Sequence, residues 1–183
     1  MSKDLDAIAR AFDFAARKHA GQRRKGQAAE PYVNHLAEVA RLVAEATGGE
    51  DTVVVLGALL HDTIEDTGTT AAELKQEFGA DVAALVAEVT DDKALPKAER
   101  KRLQVEKAPH KSARAKMIKL ADKTSNLRSI AASPPVEWDW ERQRDYFEWA
   151  GRVADGCRGV NPQLERWFDE ARANGIAALG RRR

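Results

Sequence analysis

The chain has 183 residues, 43% of them hydrophobic and 32% charged, with a formal net charge of +1. That length suits one domain with a real core, and the balance is that of a soluble globular protein rather than a disordered chain. The near-neutral charge gives no bulk attraction to nucleic acid or an anionic membrane, the single cysteine excludes an intramolecular disulfide, and neither a signal peptide nor an apolar run of ~20 residues is evident, so a cytoplasmic protein is expected.

The apolar spacing is helical nearly throughout. Leu5, Ile8, Phe12, Ala15 and Ala16 share one face of a first helix. Segment 21–30 (GQRRKGQAAE) breaks the pattern and reads as a basic loop. Pro31 suits the first turn of a second helix, which carries His35, Val39 and Val43 and ends before Gly48-Gly49. Asp51 or Thr52 caps a third, strongly apolar segment, VVVLGALLHD. Its β-branched start is compatible with a strand, but the helical flanks and the lack of a partner strand favour helix. Thr70 and Glu73 have capping-box spacing, and Gly79 is a stop signal. Val82, Leu85, Val86 and Val89 define the next helix.

Segment 91–97 reads as a loop and 97–107 as a charged helix. In that helix ERKRLQVEK, with acids interleaved, reads as an exposed face. Segment 113–131 is expected to be a long amphipathic helix, ended by Pro134-Pro135. Helices follow at about 137–156 and 162–178, with Asn161 as cap and Pro162 in the first turn. Residues 179–183 should fray. The whole is an all-α chain of eight to ten helices, one domain over 1–183 with its core within about 7–170.

The chemistry centres on His61-Asp62, which closes the most apolar helix. Buried polar groups need partners, and a metal ion is one solution. Adjacent residues diverge by about 100° on a helix, so both reach one ion only at a helix end or with favourable rotamers. His35 and Asp122, each in mid-helix, can complete a mixed nitrogen–oxygen site suited to a first-row divalent ion. Glu65 and Asp66 lie a turn beyond and can handle the proton of an attacking water. Arg23-Arg24-Lys25-Gly26 supplies cations for phosphate oxygens and a glycine for close backbone approach. His19, His110 and the four tryptophans read as packing or surface residues and Arg23 as surface charge, while Lys93 and Lys97 read equally as cleft-bordering or as solvated charge.

Three stretches carry a resemblance: AARKHAGQRRKGQAAEPYVNHLAEV at 15–39, LLHDTIEDT at 59–67 and KLADKTSNL at 119–127. They resemble the hydrolase domain of RelA/SpoT-type enzymes within the HD phosphohydrolase superfamily. Segments 88–112 and 145–150 are similar to its single-domain, metazoan-type SpoT homologues. The resemblance implies an HD-type helical fold and one metal, most often Mn²⁺, at His35, His61, Asp62 and Asp122, the first and last of which spacing alone does not single out. It implies that Glu65 and Asp66 serve the hydrolytic water and that Arg24, Lys25, Asn126 and Tyr146 contact substrate. The implied reaction removes the 3′-diphosphate of the alarmones ppGpp and pppGpp, with no synthetase domain present. A nucleotide phosphatase acting on NADPH or another phosphoester, and a non-catalytic alarmone-binding module, are the alternatives. Two positions depart from many relatives: Leu36 replaces a proline, and Ser125 replaces an aromatic residue.

Overall fold

The computed structural model describes residues 3–181. Among them are ten α-helices, one short 3₁₀ turn and no strand: α1 (Lys3–Lys18), α2 (Val33–Ala46), α3 (Thr52–Leu60), α4 (Thr63–Asp66), α5 (Ala71–Phe78), α6 (Ala80–Val89), α7 (Lys97–Lys107), a 3₁₀ turn (Ala108–His110), α8 (Ala113–Ala132), α9 (Trp140–Asp155) and α10 (Pro162–Gly180). The strand alternative for residues 52–60 therefore gives way to helix. Its boundary is set by Asp51, whose carboxylate accepts from Val54 N at 3.2 Å. No helix among the described residues is long and apolar enough to cross a membrane.

α3 and α8 form the centre. α3 is apolar on every side and buries Val54 through Leu60. Gly57 lets neighbours close in: a Cβ there would meet Leu85 Cδ2 at 2.7 Å. α8 packs against α2, α3, α6, α9 and α10. Every residue from Ile118 to Ser125 is buried, so the expected amphipathic helix is buried on all sides along this stretch. Its polar side chains are satisfied locally: Lys119 Nζ donates to the Val89 carbonyl at 2.7 Å and Thr124 Oγ1 to that of Leu120 at 2.8 Å.

Several boundaries shift for identifiable reasons. Pro31 lies just outside α2, in a turn where its carbonyl accepts from Asn34 N at 3.1 Å. Thr70 caps α5 by accepting from Glu73 N at 3.1 Å, but Glu73 extends to Lys18, 2.9 Å away, instead of closing a capping box. α10 runs to Gly180 and buries Leu179, so the fraying expected from residue 179 does not begin there. Residues 182 and 183 lie outside the described residues.

Candidate metal centre and substrate cleft

The break between α3 and α4 brings the first two candidate ligands together. His61 ends α3 at φ −56° and ψ −30°, and Asp62 starts α4 at φ −101° and ψ 0°. The interrupted helix turns both side chains to one point, with Asp62 Oδ2 3.0 Å from His61 Nε2. His61 Nδ1 donates to the Ala58 carbonyl at 2.8 Å. Its Nε2 is buried and lacks a hydrogen-bond partner. α2 contributes His35, whose Nε2 lies 3.4 Å from Asp122 Oδ1 on α8 and 3.8 Å from Asp62 Oδ2.

Donor atoms held at roughly 2.1 Å from one ion lie about 3–4 Å apart, which is the spacing found. His35, His61 and Asp62 present one donor atom each within 4.8 Å of one another, and Asp122 joins them from the His35 side. Orphaned imidazole nitrogen facing carboxylate oxygen is a donor set for a divalent cation, and this cluster can hold one.

Electrostatics agree. Burial holds the His35 imidazole below its ordinary range, leaving a neutral ring. At His61 burial acts downward too, but Asp62 and Asp122 outweigh it and push the group up to about 9. The pocket thus attracts positive charge. Burial disfavours the Asp62 and Asp122 carboxylates, yet their cationic neighbours hold both well below the usual range. Tyr32 donates to Asp62 Oδ2 at 2.6 Å and Lys123 Nζ to Asp122 Oδ2 at 2.8 Å. Burial in particular, with the adjacent Asp62, keeps the Tyr32 phenol neutral.

Glu65 and Asp66 face a cleft of about 480 Å³ beside this centre. Glu65 accepts from Asp91 N at 3.1 Å and lies 3.6 Å from Arg100 Nη1; Asp66 pairs with Lys93. Burial raises the Glu65 carboxyl above its ordinary value of 4.5. Eight basic residues line the cleft (Arg23, Arg24, Lys25, Lys93, Lys97, Arg100, Lys101 and Arg142) against three acids, Glu65, Asp66 and Asp91. That concentrated charge suits a polyphosphate.

Arg24 is aimed by hydrogen bonds to Asn126 Oδ1 and Ser129 Oγ, each 3.1 Å. Asn126 in turn donates to Asp122 Oδ1 at 2.6 Å. Tyr146 lies in the wall between Trp138 and Trp149, with ring centroids 5.4 and 5.2 Å away. The structure thus brings together all four candidate ligands, Glu65, Asp66 and the four expected substrate contacts.

Some expectations need correction. Arg23 lines the cleft instead of lying in open solvent, and Lys93 and Lys97, for which the sequence leaves both readings open, border the cleft as well. So do Arg100, Lys101 and Gln104, which contradicts an exposed, featureless face for ERKRLQVEK. Trp138 also borders the cleft, with the Arg142 guanidinium 4.8 Å from its ring centroid. Gly26 serves a backbone approach, but toward the end of α8: its Cβ would stand 2.4 Å from the Ser133 carbonyl oxygen. His19 is buried and stacks on Tyr32 at 5.2 Å.

Tyr32, Glu38, Arg100, Lys123 and the bridging role of Ser125 escaped the sequence reading. Helical spacing held a signal for three of them: Tyr32 and Glu38 are three residues from His35, and Ser125 is three from Asp122.

An all-helical scaffold with paired imidazoles and carboxylates that could hold a metal ion, beside a cation-lined cleft, is the arrangement of a phosphohydrolase-type centre. The HD domain family model matches residues 11–148, and the chain belongs to that family. The chain is 53% identical to guanosine-3′,5′-bis(diphosphate) 3′-pyrophosphohydrolase MESH1 of Homo sapiens, over 90% of this chain and 92% of that one. MESH1 of Xenopus tropicalis is 52% identical over 92% and 94%. A solved structure described as a metazoan ortholog of SpoT that hydrolyzes ppGpp is similar with TM-score 0.87 and 46% identity, covering 90% of this chain and 93% of that one.

Proposed function

We propose that this chain is a cytoplasmic 3′-pyrophosphohydrolase, one HD-type domain that converts ppGpp and pppGpp to GDP and GTP with release of pyrophosphate. The observation that carries the reading is the orphaned His61 Nε2 among the His35, Asp62 and Asp122 donors, at the edge of a basic cleft holding Glu65 and Asp66. The similarity to the MESH1 proteins supports the choice of substrate.

His35, His61, Asp62 and Asp122 would hold one divalent ion, Mn²⁺ in this proposal. When bound, the ion supplies a Lewis acid for a phosphoryl oxygen and for the nucleophilic water. Glu65 takes a proton from the attacking water, a role favoured by its raised proton affinity and its fixed contacts to Asp91 N and Arg100. The water oxygen bonds to the phosphorus attached to O3′. The P–O3′ bond breaks, pyrophosphate departs intact, and O3′ takes up a proton. Asp66, paired with Lys93, orients the water, and the proton taken up by Glu65 passes to O3′. Arg24, Lys25 and Asn126 bind the nucleotide phosphates and sugar, and the Tyr146 ring bounds the nucleoside side.

The test is pyrophosphate release from ppGpp and pppGpp by purified protein with Mn²⁺, after chelation, and after Mn²⁺ is restored, with NADPH assayed in parallel. Chelator-sensitive, Mn²⁺-restored release with kcat/KM above that for NADPH is expected. Higher kcat/KM for NADPH would overturn the substrate, and tight ppGpp binding without turnover in Mn²⁺ would overturn catalysis.

A further inference from the structure

His35 is held from behind by a chain of hydrogen bonds that no step above uses. Its Nδ1 lies 2.9 Å from Ser125 Oγ, Ser125 Oγ lies 2.7 Å from Glu38 Oε2, and Arg128 Nη1 donates to Glu38 Oε1 at 3.1 Å. The helices account for the arrangement. His35 and Glu38 are one turn apart on α2, while Asp122, Ser125 and Arg128 recur every third residue on α8, and the two helices pack together.

We propose that Ser125, Glu38 and Arg128 form a positioning relay that fixes His35 as its Nδ1–H tautomer and presents Nε2 as the metal-ligating atom. A serine hydroxyl has one proton, and an ionised carboxylate only accepts. Glu38 is ionised because the hydrogen bonds from Ser125 and Arg128 outweigh the opposing effect of burial. Ser125 therefore spends its proton on Glu38 and can only accept from His35. The imidazole proton must then sit on Nδ1. That leaves the Nε2 lone pair facing Asp122 Oδ1 and Asp62 Oδ2 at 3.4 and 3.8 Å, an arrangement that is repulsive until a cation stands between them. A hydrogen-bonded partner behind a ligating imidazole sets both its tautomer and its basicity.

The size of residue 125 matters. Ser125 is fully buried, and its short hydroxyl reaches Glu38 Oε2 across the α8–α2 contact at 2.7 Å. The relay opens on a separate pocket of about 220 Å³ lined by Glu38 and Arg128. Glu38 is only partly buried, so substitution there disturbs the core less than substitution at Ser125.

The inference rests on the metal reading of the centre, and one experiment separates the two. Apoprotein is titrated with Mn²⁺ by calorimetry, and its thermal midpoint is recorded without metal, for wild type, His35→Ala, Ser125→Ala, Ser125→Thr and Glu38→Met. Ser125→Ala and Glu38→Met should each weaken Mn²⁺ binding by about 10–100-fold. Their lost activity should return at excess Mn²⁺ with an unchanged KM for ppGpp. Ser125→Thr keeps the hydroxyl and should retain wild-type affinity. If wild type binds Mn²⁺ no more tightly than His35→Ala, the metal reading fails and the relay falls with it. If His35→Ala loses Mn²⁺ while Glu38→Met binds it like wild type, the relay alone is overturned. Glu38→Met decides the matter if Ser125→Ala does not fold.

Discussion

At the scale of single residues, Asp62 bears the heaviest load. It accepts from Tyr32, approaches both candidate imidazoles, and sits where α3 breaks into α4. Asp62→Ala should abolish measurable turnover and strip Mn²⁺, read as metal content after desalting. Wild-type metal content in that variant would refute the proposed centre. Glu65 differs, because it touches Asp91 N and Arg100 rather than the imidazoles. Glu65→Ala should keep its metal and lose ~10²–10⁴-fold in kcat, the usual contribution of a positioned acid–base group. The pH dependence follows in sign. A base must be ionised to act, and burial raises the Glu65 carboxyl above 4.5. The acidic limb of kcat/KM at saturating Mn²⁺ should therefore lie above that value. Activity falls as pH drops through the raised pKa, and Glu65→Ala should abolish that limb. An acidic limb left unchanged in the variant would assign the proton transfer elsewhere.

At the scale of elements, the basic loop at 21–31 shows how little play the cleft has. It is a short bridged loop: Arg23 pairs with Pro31 and Gly26 with Pro135 as isolated bridges, and Ala28 N donates to Ser133 Oγ at 2.9 Å. Gly26→Ala would drive a methyl against the Ser133 carbonyl, a backbone group that cannot swing aside. The loop must shift and carry Arg24 with it. kcat/KM for ppGpp should fall by ~10–100-fold, in line with the cost of a displacement of about 1 Å at a binding group. Mn²⁺ affinity should stay unchanged, since the loop supplies no candidate ligand. Unaltered kcat/KM would show that the loop does not aim Arg24.

The same loop shows what sequence could disclose. Its glycine, cations and position before α2 were legible, because charge and helix breaking are local properties. Its partner was not, because the approach to Ser133 spans more than a hundred residues. The cleft-facing side of α7 was illegible for a similar reason. Interleaved acids and bases give no apolar stripe, so nothing local distinguishes Arg100 and Gln104 from solvated neighbours. α8 misled in the opposite sense, since its lysines look like an exposed face until their buried partners are known.

Across the whole molecule, the centre joins elements that are distant in sequence. His35 comes from α2, His61 and Asp62 from the α3–α4 junction, and Asp122 from α8, the helix against which five others pack. Without a cation, the interior carries two inward-facing carboxylates and an imidazole nitrogen lacking a hydrogen-bond partner. A buried nitrogen left unpaired, and like charges facing each other, cost stability. A divalent ion binding only the folded state adds RT ln(1 + [L]/Kd), which is about 2.7 kcal/mol when the ion is at 100 times its Kd. For a chain of this size each kcal/mol moves the melting midpoint by about 2–4 °C. Mn²⁺ at that excess should thus raise the Tm of the apoprotein by roughly 5–11 °C. Asp122→Asn removes the charge on α8 while keeping much of the shape, so it should shrink the Mn²⁺-dependent rise well below the wild-type value. Gly26→Ala should show the full rise, because its defect lies in the loop rather than at the junction of α2, α3, α4 and α8. A rise of equal size in Asp122→Asn would mean that the ion is held elsewhere and does not tie these helices together.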